Sequence, residues 1–215
     1  MDASGMIYRN ILEAYISGTP TGSANAVARE LGISPNTANI AIRALESIGA
    51  VTINPRSFEI TNFNKAFMYW AASRKLHKDI VYSTFTGKGV KYIEDNMPGG
   101  VAFTAFTGYS LLYGNDVSDY GEVYVYATDD IMADIKHRFP KNILSNAKSD
   151  YADLVVLRPD AVLEREMLDG KLSSPVVKPT QICADLWNIR GWAASRFFDR
   201  LYARLTAVVP ATAKI

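Results

Sequence analysis

Residues 23–60 have the sequence SANAVARELGISPNTANIAIRALESIGAVTINPRSFEI, which predicts two helices joined by a tight turn. The first helix is predicted over 24–31, and Gly32 supplies the positive φ that ends it. Ser34 is suited to cap the second helix, because its hydroxyl can accept a hydrogen bond from a free backbone N–H. Pro35 fits the first turn, where a missing N–H costs nothing.

The second helix separates an apolar face from a polar one. The residues predicted to face the core at helical spacing are Ala38, Ala41, Ile42, Leu45 and Ile48. The opposite face carries Asn36, Ile40, Arg43 and Ser47, with Thr37 and Asn39 flanking it near the N-terminal end. After Gly49, alternating runs at 51–53 and 57–60 predict two short strands, with a turn at 54–56. This order of elements is typical of a winged helix-turn-helix domain, in which the hairpin is the wing.

The polar face has the chemistry of a DNA-reading surface. In a helix-turn-helix, the N-terminal residues of the second helix contact base edges in the major groove. Asn can pair with adenine and Arg with guanine, an exposed Ile can touch a thymine methyl, and hydroxyls or a helix N-terminus can bind phosphates. The predicted DNA-contacting residues are Ser34, Asn36, Thr37, Asn39, Ile40 and Arg43, with Arg56 in the wing. The alternative is a winged domain used only for protein contact or dimerisation.

The charge of this region limits its affinity for DNA. Residues 1–66 contain five basic and five acidic side chains, so the segment is net neutral. Because neutralisation of phosphates supplies most non-specific DNA affinity, a monomer is expected to bind weakly. This favours a homodimer, or basic residues elsewhere that contact the DNA backbone or a partner. The candidates are Arg74, Lys75 and Lys78 at the end of a helix, and Arg196, Arg200 and Arg204 on one side of the last helix, each of which is otherwise a solvated helix face.

The 215-residue length allows one or two domains, and the predicted fold class is α+β. The predicted division is a winged helix-turn-helix domain at 1–64, a connecting helix at 65–79, and a mixed α/β domain with C-terminal helices at 80–215. A helix at 2–17 and a loop at 20–22 precede the two-helix motif. Later strands are predicted at 80–85, 101–108, 122–127 and 153–157, and later helices at 90–96, 108–113, 131–139, 180–189 and 192–208.

Several classes of function find little support in the sequence. There is no apolar run of 18 residues and no secretory signal at the start, so no membrane partner is expected. Cys183 is the only cysteine, which favours a reducing, cytoplasmic setting. With His77 and His137 it lacks zinc-site spacing, so no metal or cofactor is predicted.

No catalytic residue is predicted, because no nucleophile has a suitably spaced base. Carboxylates near the predicted strand ends leave a metal-dependent, DNA-processing enzyme as a less favoured alternative: Glu122, Asp129, Asp130 and Asp153. Against it, Tyr124 stands where such nucleases commonly place a lysine.

Short segments after the wing carry a family resemblance. They are TGYSLL at 107–112, EVYVYA at 122–127, DLVVL at 153–157, QICADLW at 181–187 and GWAAS at 191–195, followed by an amphipathic helix. In this order, the chain resembles the AbiEi-type antitoxins of abortive-infection systems and their related transcriptional regulators.

The resemblance implies a two-part role. The N-terminal domain would bind operator DNA and repress its own operon, and the C-terminal domain would act against a nucleotidyltransferase-like toxin, its cognate partner protein. It also implies that basic residues of the C-terminal domain assist DNA binding, a part that Arg196, Arg200 and Arg204 could play. The alternative is a protein-interaction module, an antitoxin or adaptor, whose C-terminal domain does the work.

Overall fold

A computed structural model describes residues 3–141, 152–172 and 175–208 of the chain. In these residues helices and strands are mixed, and the strands form two small sheets. The chain divides into two compact units. Among the described residues, unit 1 comprises 3–75, 179–188 and 198–208, and unit 2 comprises 76–141, 152–172, 175–178 and 189–197.

The elements follow one another in this order: α1 (Ala3–Ile16), β1 (Thr21–Gly22), α2 (Ala24–Leu31), α3 (Pro35–Ser47), β2 (Val51–Ile53), β3 (Phe58–Ile60), α4 (Phe63–Ser73), a 3₁₀ turn (Leu76–Lys78), β4 (Ile80–Thr84), α5 (Val90–Asp95), β5 (Ala102–Thr104), α6 (Ala105–Tyr113), β6 (Val123–Tyr126), α7 (Asp129–Arg138), β7 (Leu154–Leu157), α8 (Ala161–Leu168), α9 (Pro179–Asn188) and α10 (Trp192–Val208).

The local signals that predicted α2 and α3 are confirmed at residue level. Gly32 has a φ of +69° and donates its N–H to the Ala28 carbonyl, which closes α2. The Ser34 hydroxyl accepts a hydrogen bond from the Thr37 N–H at 3.1 Å, with Pro35 at the first position of α3. The predicted inward residues Ala38, Ala41, Ile42 and Leu45 are buried, and Ile48 is half-buried.

Two predictions at the edges of this region were wrong. Residues 20–22 are not simply a loop, because β1 pairs antiparallel with β3 and makes a three-stranded sheet in the order β1-β3-β2. Two paired residues are too few to show a periodic pattern. The helix predicted to run to residue 79 ends at Ser73, because the backbone of Arg74 is extended, with φ −69° and ψ 136°.

The C-terminal helices α9 and α10 supply part of unit 1, which corrects the predicted domain boundaries. The ring of Phe67 in α4 has its centroid 6.3 Å from that of Phe198 and 5.2 Å from that of Tyr202, both in α10. The side chain of Asn188 in α9 donates a hydrogen bond to the Ala71 carbonyl of α4 at 3.0 Å. The region 80–215 is therefore not one separate domain.

Unit 2 contains a four-stranded mixed sheet in the order β4-β7-β6-β5. The central pair β6 and β7 is parallel, and the two outer pairs are antiparallel. The strand predicted over 101–108 was too long: β5 ends at Thr104, and α6 starts at Ala105, whose φ of +51° turns the chain from strand to helix. The helix α8 was not predicted; the Asp160 carboxylate caps it by accepting from the N–H groups of Val162 and Leu163.

Candidate nucleic-acid interface

An open cleft of about 550 Å³ lies on unit 1 between α3, the start of α2 and the β2–β3 hairpin. The polar residues that line it include Asn25, Asn39, Arg43, Asn54, Arg56 and Ser57. The strands hold the hairpin in place: β3 pairs with β1 on one side and β2 on the other. On the other side of the cleft, the Ser23 and Ser34 caps stabilise the N-termini of α2 and α3.

The cleft concentrates positive charge within a segment that is neutral overall. Arg43 and Arg56 line it, and no carboxylate is among the lining residues, all of which lie between 23 and 58. Two acidic side chains of the segment are engaged elsewhere. Glu13 accepts a hydrogen bond from the Thr180 hydroxyl at 3.0 Å, and Glu30 accepts one from the Asn10 amide at 2.9 Å. Since a cleft lined by one sign of charge raises the local concentration of counter-ions, this site favours an anionic ligand.

The predicted reading face of α3 is exposed. Asn36, Asn39, Ile40 and Arg43 all have exposed side chains. Asn39 and Arg43 line the cleft, whereas Asn36 and Ile40 lie on the accessible surface of α3 outside the cleft lining. The structure therefore brings Arg43 and Arg56 together in one cleft, beside an accessible helix face.

Ser34 and Thr37 are already used inside the protein. The Ser34 hydroxyl accepts from the Thr37 N–H, and the two hydroxyls share a hydrogen bond of 2.8 Å. Ser34 is exposed and Thr37 is half-buried. Both positions remain at the N-terminus of α3, where the helix dipole attracts a phosphate, but their hydroxyls first stabilise the helix cap.

Sequence reasoning missed four polar residues of the cleft, Ser23, Asn25, Asn54 and Ser57. Asn25 is the second residue of α2, one position after the helix begins behind its Ser23 cap. Ser57 ends the hairpin turn, where its carbonyl accepts from the Asn54 N–H at 2.8 Å. The cap and turn signals were visible in the sequence, but the meeting of α2 with the hairpin depends on tertiary packing.

The predicted basic cluster at 74–78 is corrected at Arg74. The Arg74 guanidinium is buried and lies 2.8 Å from the Asp185 carboxylate, so it serves the interior of unit 1 and is not accessible to a phosphate. Arg74 does not belong to the surface cluster because the backbone is extended at this residue, and the side chain contacts α9. Lys75 and Lys78 are exposed, the first in unit 1 and the second in unit 2.

The arginine row of α10 is exposed at all three positions. Arg196 belongs to unit 2, and its guanidinium lies 5.6 Å from the ring centroid of Trp192, a cation–π distance. Arg200 and Arg204 belong to unit 1. Each is accessible to a partner, though none lines the cleft.

Two of the four carboxylates considered for a nuclease, Asp153 and Glu122, have structural partners. Asp153 is buried, and its two oxygens accept from the Thr86 N–H, the Thr86 hydroxyl and the Gly87 N–H at 2.7–2.9 Å. Asp153 therefore fixes the loop that follows β4. Glu122 accepts from the Tyr124 hydroxyl at 2.8 Å. Within the described ranges no group of three or more His, Cys, Asp or Glu side chains is placed to hold a metal ion.

Cys183 lies in the interior of unit 1. Burial, with smaller contributions from the charges of Asp185 and Asp199, raises the pKa of its thiol well above the ordinary value. A thiol of raised pKa is a poor nucleophile, so Cys183 behaves as a core residue.

Comparison of the chain with protein-family models, with curated proteins and with solved structures gave no match. In the part of the chain that the structure describes, no helix is both long enough and apolar enough to cross a membrane.

Proposed function

We propose that the protein is a sequence-specific transcriptional regulator that binds double-stranded DNA through unit 1. The observation that carries the proposal is the exposed polar face of α3 beside a cleft that is lined by Arg43 and Arg56 and by no carboxylate. In this proposal unit 1 is a winged helix-turn-helix domain, with α3 as its reading helix and the β2–β3 hairpin as its wing.

In this proposal, the residues of α3 and those of the hairpin contact different parts of the DNA. Asn36, Asn39 and Arg43 would hydrogen-bond base edges in the major groove, since Asn matches adenine and Arg matches guanine. Arg56 would contact the DNA from the turn of the wing. Contacts to phosphates would set the register without reading sequence.

The cleft offers few positive charges for DNA affinity, so further contacts to phosphates are needed. Each phosphate neutralised contributes about −0.9 to the slope of log affinity against log salt concentration. A homodimer doubles the contacts of Arg43 and Arg56, and Lys75, Lys78 and the α10 arginines are accessible for further backbone contacts. Arg74 is no longer among these candidates.

The resemblance to AbiEi-type antitoxins supports repression of the protein's own operon, in the cytoplasm and without catalysis. Binding of a partner protein is the second candidate function, and exposed apolar side chains on unit 2 favour it: Leu168 and Trp192. Its test is co-purification with the product of an adjacent gene, compared between the wild type and Trp192→Ala. Retention by the wild type and loss in the variant would support a toxin-binding surface.

The test of DNA binding uses a duplex from the region upstream of the protein's own gene, with an unrelated duplex of equal length as control. Wild type is expected to prefer the upstream duplex. Asn36→Ala and Arg43→Ala are expected to weaken that binding selectively. Equal affinity of all three proteins for the upstream duplex would contradict the assignment of α3 as the reading helix.

A further inference from the structure

Ile40 is an apolar side chain that folding leaves in water at the centre of a polar helix face. It is 62% exposed. Among the described residues of unit 1, the large hydrophobic side chains left exposed are Ile40 and Trp187. A single exposed isoleucine is ordinary on a protein surface. The position of Ile40 on α3, one turn from Asn36 and one turn from Arg43, is what gives it a chemical meaning.

The distances between these residues along α3 correspond to between one and two base-pair steps. Residues three and four apart on a helix are neighbours on one face. With a rise of 1.5 Å per residue, Ile40 lies about 6 Å along the axis from Asn36 and about 4.5 Å from Arg43. Since base pairs are stacked about 3.4 Å apart, a helix in the groove would present Ile40 within one or two base pairs of either neighbour.

The major groove offers one apolar group for such a side chain. Thymine displays its C5-methyl group there, beside the polar edges that Asn and Arg recognise. 5-Methylcytosine carries a methyl on the same ring carbon, so the two bases are alike for an apolar contact. The Ile40 side chain has no hydrogen-bond donor or acceptor, so it cannot recognise the polar groups of the base edges.

We infer that Ile40 is a specificity-determining residue that recognises a pyrimidine C5-methyl group, of thymine or 5-methylcytosine, between the bases contacted by Asn36 and Arg43. This inference rests on the proposed DNA binding by α3. Removing the methyl by exchanging thymine for uracil leaves the base pair's hydrogen-bonding groups unchanged. Burial of one methyl-sized group corresponds to about a fourfold change in affinity.

The experiment starts from duplexes that the wild-type protein selects from a random-sequence pool. Each thymine of the protected site is replaced singly by uracil, and dissociation constants are measured by fluorescence anisotropy for the wild type, Ile40→Ala and Leu111→Ala. Leu111 is a matched control, since it is an exposed apolar residue, 56% exposed, in unit 2. At the uracil-sensitive position, cytosine and 5-methylcytosine opposite guanine are then compared in the same way.

The wild type and Leu111→Ala are expected to lose about fourfold in affinity at one thymine per bound subunit and to gain a similar factor from 5-methylcytosine over cytosine. Ile40→Ala is expected to bind the thymine and uracil duplexes equally, and likewise the 5-methylcytosine and cytosine duplexes. The difference from the wild type is then the coupling energy between the Ile40 side chain and the methyl group. A selected site without any uracil-sensitive thymine, or a loss that persists in Ile40→Ala, would overturn the inference while leaving DNA binding intact. Failure of the wild type to select any sequence would overturn the proposed function itself.

Discussion

Arg74 and Asp185 form a buried ion pair, with 2.8 Å between Nε and Oδ1, although 111 positions separate them in the chain. Their side chains are 2% and 0% exposed. Gln181 donates its amide to the same Asp185 oxygen at 2.8 Å, and accepts from Arg9 of α1 at 3.2 Å. This polar network ties α9 to α1 and to the end of α4, so the C-terminal segment is a structural part of the unit proposed to bind DNA.

Asp185→Ala should destabilise the protein strongly. The substitution leaves the Arg74 guanidinium buried without its carboxylate, and breaking one partner of a buried pair costs about 3–5 kcal/mol of unfolding free energy. Chemical denaturation followed by fluorescence measures the change. The control is Asp95→Ala, which removes a solvent-exposed pair with Lys91 and should leave the free energy of unfolding close to that of the wild type. Equal stability of the two variants would contradict the role of the buried pair.

A fragment containing residues 1–75 should fail to form the native structure of unit 1. It lacks α9 and α10, so Arg74 loses Asp185 and Phe67 loses its contacts with Phe198 and Tyr202. A two-dimensional NMR spectrum of the fragment should have the narrow amide dispersion of an unfolded chain. A well-dispersed spectrum that overlays on signals of the full chain would show that the N-terminal segment is autonomous.

Gly22→Ala should weaken the three-stranded sheet that contains the β2–β3 hairpin. A Cβ at this position would lie 2.8 Å from Cζ of Phe58, which is a buried core residue of β3. Overpacking of this kind costs about 1–3 kcal/mol. Thermal unfolding compares it with Gly99→Ala, where the added Cβ meets no atom within 4 Å. If Gly22→Ala melts with the Gly99 control, the close approach of β1 to Phe58 is not a constraint.

Tyr202 should make stability pH-dependent in strong alkali. Burial, with a smaller contribution from the charge of Cys183, raises the pKa of its phenol to about 12, above the ordinary 10.0. The folded chain therefore keeps a proton that the unfolded chain releases, so this contribution is full below pH 10 and is lost as the pH rises toward 12.

The measurement for Tyr202 is the difference in tyrosinate absorbance between the wild type and Tyr202→Phe during an alkaline titration. The difference should titrate near 12 while the protein stays folded. A midpoint close to 10 would mean that the phenol is solvated and would contradict its half-buried position.

Elements marked by local chemistry could be predicted from the sequence. Ser34 and Pro35 define the start of α3 because capping depends on neighbouring atoms, and the apolar spacing of α10 gave its bounds as 192–208. Two-residue β1 carries no periodicity. The change from strand to helix at Ala105 could not be predicted, since alanine seldom adopts a positive φ and gives no signal for one.

Features that depend on distant residues could not be predicted. Arg74 appeared as part of a surface cluster with Lys75 because its partner in α9 is far along the chain. For the candidate site, the exposed face of α3 followed from helical spacing, and Arg56 followed from the hairpin turn. The placement of that face beside Asn25 and Ser57 around one cleft depends on the tertiary arrangement of α2, α3 and the hairpin.

The most direct test of the proposed DNA-binding cleft compares Arg43→Ala with Arg29→Ala on the upstream duplex. Both substitutions remove one exposed positive charge from unit 1, but Arg43 lines the cleft and Arg29 of α2 does not. Arg43→Ala should cost about 1–3 kcal/mol of binding free energy and reduce discrimination against unrelated DNA, while Arg29→Ala should bind nearly as the wild type does. Equal losses in the two variants, or no loss in Arg43→Ala, would contradict the account.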